Sequence, residues 1–218
     1  MEKLIQDLLS QNTTLVSKER FDTILRNQQA INEVSGDIIE CGVWAGGMSI
    51  FLTKLFETKN IWIVDSFEGF QPLDTAKYQY DRETHTPSYN PMIKVTQETV
   101  ENNFKKFDID INQKRIKFLP GFVKDTLPKS KIKKIALLRI DVDAYSATRE
   151  ILDCLYDKVS VGGFIVFDDT CLQPTTDAIF DFFEDRKIEI ELRHPETDEL
   201  FIYKRGAILP CGCYMIKK

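Results

Sequence analysis

Four carboxylates in two short segments are the residues whose grouping most demands a chemical explanation. Arg139-Ile140-Asp141-Val142-Asp143 and Phe167-Asp168-Asp169 each close an apolar run. If those runs are neighbouring strands, Asp141, Asp143, Asp168 and Asp169 converge at one edge. Like charges held close raise one another's pKa and destabilise the site, and a hard divalent cation with oxygen ligands removes the conflict. Mg²⁺ suits such donors best, with Mn²⁺ or Ca²⁺ as substitutes. The competing reading is that the acids cap helices or pair with Arg139 and Arg149. A cation there would ease a costly proton transfer. A hydroxyl near pKa 15.7 facing a carboxylate near 4 costs on the order of 16 kcal/mol unaided. A cation lowers that cost, and a carboxylate beside it can take the proton.

A second group precedes the first in the chain. Glu40-Cys41-Gly42-Val43-Trp44-Ala45-Gly46-Gly47 follows an apolar run, and its glycines allow close backbone approach and offer amide N–H groups at a helix start. The spacing G-x-x-x-G-G is not the dinucleotide pattern G-x-G-x-x-G, so a diphosphate is disfavoured. Asp65 ends the next run, about 20 residues on, where a carboxylate accepts ribose hydroxyls. Glu40 would repel a pyrophosphate and attract an ammonium. A nucleoside joined to an amino acid satisfies both ends, and S-adenosylmethionine is such a ligand.

Positioning these groups requires strands that end together. Residues 37–43, 60–65, 115–119, 134–141 and 163–169 are short apolar runs bounded by turn residues and read as strands. Helical spacing falls at 17–34, 48–56, 96–107, 147–156 and 175–186. The alternation predicts an α/β fold with a doubly wound, mostly parallel sheet that binds ligands at its carboxyl edge. Residues 188–192 and 212–217 are expected to close as an antiparallel hairpin at one side. Residues 1–35 read as an N-terminal helical segment whose amphipathic face could pack against a second copy. Residues 36–218 read as one domain interrupted by a lid-like insertion at 68–95, within which His85 lies.

Composition narrows the partners. The chain has 29 Lys and Arg against 34 Asp and Glu, a net charge of −5, which argues against nucleic acid. An apolar share of 43 % is ample for one buried core. No apolar stretch approaches the roughly 20 residues that span a bilayer, and the N-terminus lacks a signal-peptide pattern. The expected setting is the cytoplasm, with a small-molecule substrate and no membrane. Five cysteines without C-x-x-C and two histidines without metal spacing predict neither a zinc site nor a disulfide framework. Cys211 and Cys213 read as packing residues.

With those motifs in place, the sequence resembles the macrocin O-methyltransferase family, whose members use S-adenosylmethionine and Mg²⁺ to methylate sugar hydroxyls of natural products. ECGVWAGG, VDSFEGF, LPGFVKDTLP, LRIDVDAYSAT and LYDKVSVGGFIVFDDT carry the resemblance across residues 21–186. It implies a class I methyltransferase, Rossmann-like fold. It also implies Glu40, Gly42, Val43, Trp44, Gly46 and Gly47 at the methionine end, Asp65, Ser66 and Phe67 at the ribose and adenine, and Phe122 on the adenine side. Asp141, Asp168 and Asp169 would be metal ligands and Asp143 the general base. Ala45 stands where the family usually has Arg, and Val142-Asp143-Ala144 where it tends to Gly-Asp-Leu. Two other readings share the sheet: a non-catalytic S-adenosylmethionine-binding scaffold, against which four intact acids argue, and a nicotinamide oxidoreductase, which Glu40 and the glycine spacing disfavour.

Overall fold

The computed structural model describes residues 1–71, 79–82, 90–207 and 209–218. Three helices open the chain, α1 (Glu2–Ser10), α2 (Lys18–Arg26) and α3 (Gln28–Glu33). Then come β1 (Asp37–Cys41), α4 (Gly47–Leu55) and β2 (Ile61–Asp65), followed by α5 (Asn90–Ile93), α6 (Gln97–Lys106), β3 (Ile116–Pro120) and α7 (Val123–Thr126). The second half runs β4 (Ile135–Ile140), α8 (Tyr145–Leu155), β5 (Val159–Phe167), α9 (Gln173–Asp185), β6 (Glu191–Arg193), β7 (Leu200–Ile202) and β8 (Tyr214–Ile216).

The strands form one sheet in the order β3-β2-β1-β4-β5-β8-β6-β7. The first five are parallel, and β8 enters antiparallel beside β5. Alternation along the central strands sends consecutive residues to opposite faces. Ile38, Leu137 and Phe164 meet α1, α2, α4 and α6 on one side, while Ile39, Leu138 and Ile165 meet α7, α8 and α9 on the other. Helices therefore cover both faces, as a parallel sheet of β-branched and leucine-rich strands requires.

Two expectations need correction and one is extended. The helix read over 17–34 is two helices, broken at Asn27, whose side-chain amide turns back to donate to the Thr23 carbonyl. The antiparallel edge is present, with β6 pairing antiparallel to β8 as expected, and it holds one strand more, β7, which pairs with the other side of β6. A three-residue strand next to an acidic turn has too little length for periodicity to reveal. Finally, Cys171 and Cys211 are joined in a disulfide, and only Cys213 of the terminal pair packs in the core. Their sequence separation of 40 hid a contact that the sheet creates.

The N-terminal segment contributes Ile5, Leu8, Phe21, Ile24 and Ile31 to the same core as the sheet. Half of the 68–95 insertion, His85 included, lies outside the described residues. Two of its described residues anchor on α8: Gln71 Nε2 donates to Ser146 Oγ at 2.7 Å, and Asp81 accepts from the Tyr145 and Ser146 amides at the helix start.

Candidate active site

Strand register alone builds the site's front row. Val64 is the partner of Cys41, Cys41 of Ile140, and Ile140 of Phe167, so the four strands end level. The next residue of each is then Asp65, Gly42, Asp141 and Asp168. Backbone bonds continue one step past the strands: Gly42 N–H donates to the Val64 carbonyl, Asp141 N–H to Cys41 and Asp168 N–H to Ile140, each at 2.9 Å. β1 and β4 are adjacent although not consecutive, which makes this the point where chain order reverses and a crevice opens. A cavity of about 400 Å³ occupies it, within the usual range for small ligands.

Asp141, Asp143 and Asp169 each present a carboxylate oxygen, and these atoms all lie within 4.8 Å of one another. Asp143 sits at φ +55°, a conformation unusual for a side-chain-bearing residue, and its amide donates to Asp169 Oδ2 at 3.0 Å. Burial drives the Asp141 and Asp169 carboxyls well above the ordinary range. Arg139 opposes this at Asp141, and neighbouring acids reinforce it at both.

Asp168 takes a different place. Its Oδ1 accepts from Arg139 Nη2 at 2.7 Å and lies 3.4 Å from Arg20 Nε. Arg139 Nη1 meets Asp141 Oδ2 and Glu40 Oε1, each at 2.8 Å. One guanidinium, only 1 % exposed, thus ties together carboxylates at the ends of three adjacent strands. The alternative of arginine pairing is realised for Arg139, whereas Arg149 pairs with Asp153 and Asp185 on the surface side. Glu40 also accepts from Ser49 Oγ and is as buried as Arg139. Burial pushes its carboxyl up to about 7 against the pull of Arg139.

The remaining predicted residues divide into two groups. Glu40, Gly42, Val43, Trp44, Asp65, Ser66 and Phe122 line the cavity with the four acids. Gly42 has φ +83°, and a Cβ there would fall 1.6 Å from the Asp141 carbonyl oxygen, so glycine is obligatory where the turn meets β4's end. Asp65 Oδ2 accepts from the Val43 amide and Oδ1 from the Phe67 amide, both at 2.8 Å, which fixes the carboxylate at the mouth of the turn. Gly46, Gly47 and Phe67 are not among the lining residues. The Gly47 amide donates to the Thr13 carbonyl, a Cβ on Gly46 would press on Val100, and the Phe67 ring packs against Phe118.

Sequence reasoning overlooked the arm Thr14, Leu15, Val16 and Ser17, together with Arg20 and Gln71, all of which line the cavity. Nothing local in the arm marks it. Arg139 did carry a signal, since a charge inside the buried run IALLRI must find partners.

Three hard oxygen donors around one point, with burial raising the pKa values of Asp141 and Asp169, fit a divalent cation, and the adjoining turn fits a nucleoside. Such a sheet, switch-point crevice and acid-tipped β2 define a nucleoside-binding α/β enzyme. Residues 3–205 match the family described as Macrocin-O-methyltransferase (TylF), and the chain belongs to that family. It is an S-adenosylmethionine-dependent O-methyltransferase with the class I methyltransferase fold. Family membership sets aside both the oxidoreductase and the non-catalytic scaffold.

A relative from Streptomyces olivaceus, 8-demethyl-8-(2,3-dimethoxy-alpha-L-rhamnosyl)-tetracenomycin-C 4'-O-methyltransferase, is 33 % identical over 176 residues, covering 78 % of this chain and 67 % of that one. The demethyldecarbamoylnovobiocin O-methyltransferase of Streptomyces niveus is 33 % identical over 196 residues, covering 86 % and 74 %. Among solved structures, the O-methyltransferase NovP aligns with a TM-score of 0.80 and 31 % identity over 94 % of this chain and 81 % of that one.

Proposed function

We propose that this enzyme transfers a methyl group from S-adenosylmethionine to a hydroxyl of a sugar or glycosylated small molecule, in the cytoplasm, with Mg²⁺ at the acid cluster. The observation that carries the reading is the convergence of Asp141, Asp143 and Asp169 on the same cavity as Gly42 and Asp65. The relatives support the acceptor class, one of them being named for a rhamnosyl-bearing molecule.

In this reading Asp65 receives the ribose hydroxyls, Ser66 and Phe122 flank the nucleoside, and Gly42, Val43 and Trp44 form the wall at the methionine end. Glu40 lines the same cavity, and its carboxyl oxygens would accept from the ammonium. Asp141, Asp168 and Asp169 would hold the cation, which when bound makes a nearby hydroxyl more acidic. Asp143 takes the hydroxyl proton, its strained backbone and its tie to Asp169 fixing where it points.

The roles of the acids separate experimentally. Asp143→Asn should retain S-adenosylmethionine and Mg²⁺ binding by calorimetry while turnover falls by about 10²- to 10⁴-fold, the usual worth of a general base. Full activity would remove Asp143 from that role. Loss of Mg²⁺ binding would move it among the ligands, in the place proposed for Asp168.

A further inference from the structure

Arg139 touches both ends of the site, Glu40 at one and Asp141 and Asp168 at the other, and the proposed mechanism leaves it unused. Its Nη1 is shared between Glu40 and Asp141, and its Nη2 holds Asp168, all at 2.7–2.8 Å. Arg20 adds a second, longer contact to the same Asp168 oxygen. The acids gathered at one point are therefore Asp141, Asp143 and Asp169, while Asp168 is drawn toward the two arginines. Every pairing has a physical reason. Buried carboxylates without a counter-charge are costly, and a delocalised guanidinium with a rigid fork can serve several at once.

We propose that Arg139 is a resident counter-cation of this site, competing with a divalent ion for Asp141 and Asp168. The inference rests on the reading that the acid cluster takes Mg²⁺. Arg139 acts as a positioning residue: it supplies the counter-charge to Asp141 and Asp168 and orients them when no ion is bound, and its own charge weakens ion uptake. That combination makes a prediction about sign. If Arg139 merely braced the carboxylates, replacing it would loosen Mg²⁺ binding. If it competes for them, replacing it tightens Mg²⁺ binding while the ion-free protein becomes less stable.

The test is titration of the full-length protein with MgCl₂ alone, by calorimetry and thermal melting, without substrate. Arg139→Met should lower the ion-free melting temperature, regain more of it on adding Mg²⁺ than the parent gains, and bind Mg²⁺ roughly threefold or more tightly, as removal of a neighbouring positive charge demands. Arg139→Lys keeps a charge but lacks the fork, so it should fold readily and show a smaller tightening in the same direction. Should Arg139→Met not fold, the lysine variant decides. Weaker or unchanged Mg²⁺ binding in a folded variant overturns the inference. Absence of Mg²⁺ uptake by the parent protein at millimolar concentration overturns instead the cation reading on which it stands.

Discussion

Glu40 is a carboxylate buried beside an arginine, and its protonation links the site to folding. Burial raises its pKa from 4.5 to about 7 despite Arg139 and Ser49. Between those values the folded protein keeps a proton that the unfolded chain has released. The stabilisation is therefore complete below about 4.5 and is lost as the pH rises through about 7. Glu40→Gln keeps the shape and abolishes the titration. Urea midpoints measured from acid to neutral pH should decline more steeply for the parent than for this variant, and parallel slopes would deny Glu40 that role. At this scale the acids and the glycine turn were legible because each directly follows an apolar run whose end they mark. Arg139 was legible only as a pairing alternative, since a residue's charge does not say which neighbours it will meet.

Between elements, the decisive contact is that of the β1 end with the β4 end. Gly42→Ala would drive a Cβ into the Asp141 carbonyl, and backbone atoms there cannot rotate away. Cofactor binding should be lost along with roughly 2 kcal/mol or more of stability. Gly206→Ala is the control: its φ of +81° is similar but its Cβ would meet nothing among the described residues within 4 Å, so only about 1 kcal/mol of backbone strain is expected. Equal losses would show that strain, not the clash, decides. The start of α8 depends likewise on Asp81, which accepts from the Tyr145 and Ser146 amides. Asp81→Ala should cost about 1 kcal/mol, read by denaturation, and an unchanged midpoint would mean that other groups satisfy those amides. Strands and helices of ordinary length were legible from apolar spacing. The break at Asn27 and the three-residue β7 were not, because the apolar spacing continues across the break and three residues are too few to show a period.

Across the whole molecule, the N-terminal helices belong to the core of the sheet. Leu8→Ala should cost about 2 to 5 kcal/mol, as for other fully buried leucines. A denaturation midpoint unchanged by that substitution would show α1 to be dispensable. The Cys171–Cys211 bridge closes a loop of sequence separation 40 between the turn after Asp169 and the approach to β8. Loop entropy assigns such a bridge about 4 kcal/mol, so reduction should lower the melting temperature measurably. Identical melts with and without a dithiol would contradict this. Residue order by itself determined the alternation of strand and helix, the acids at strand ends and the glycine turn, because each follows from local chemistry and short periodicity. Only the tertiary structure decided that Asp65, Gly42, Asp141 and Asp168 stand in one row, that Arg139 gathers three acids, and that the arm from Thr14 to Ser17 lines the cavity. Those facts depend on register between strands far apart in sequence, and register is settled by packing both faces of the sheet at once.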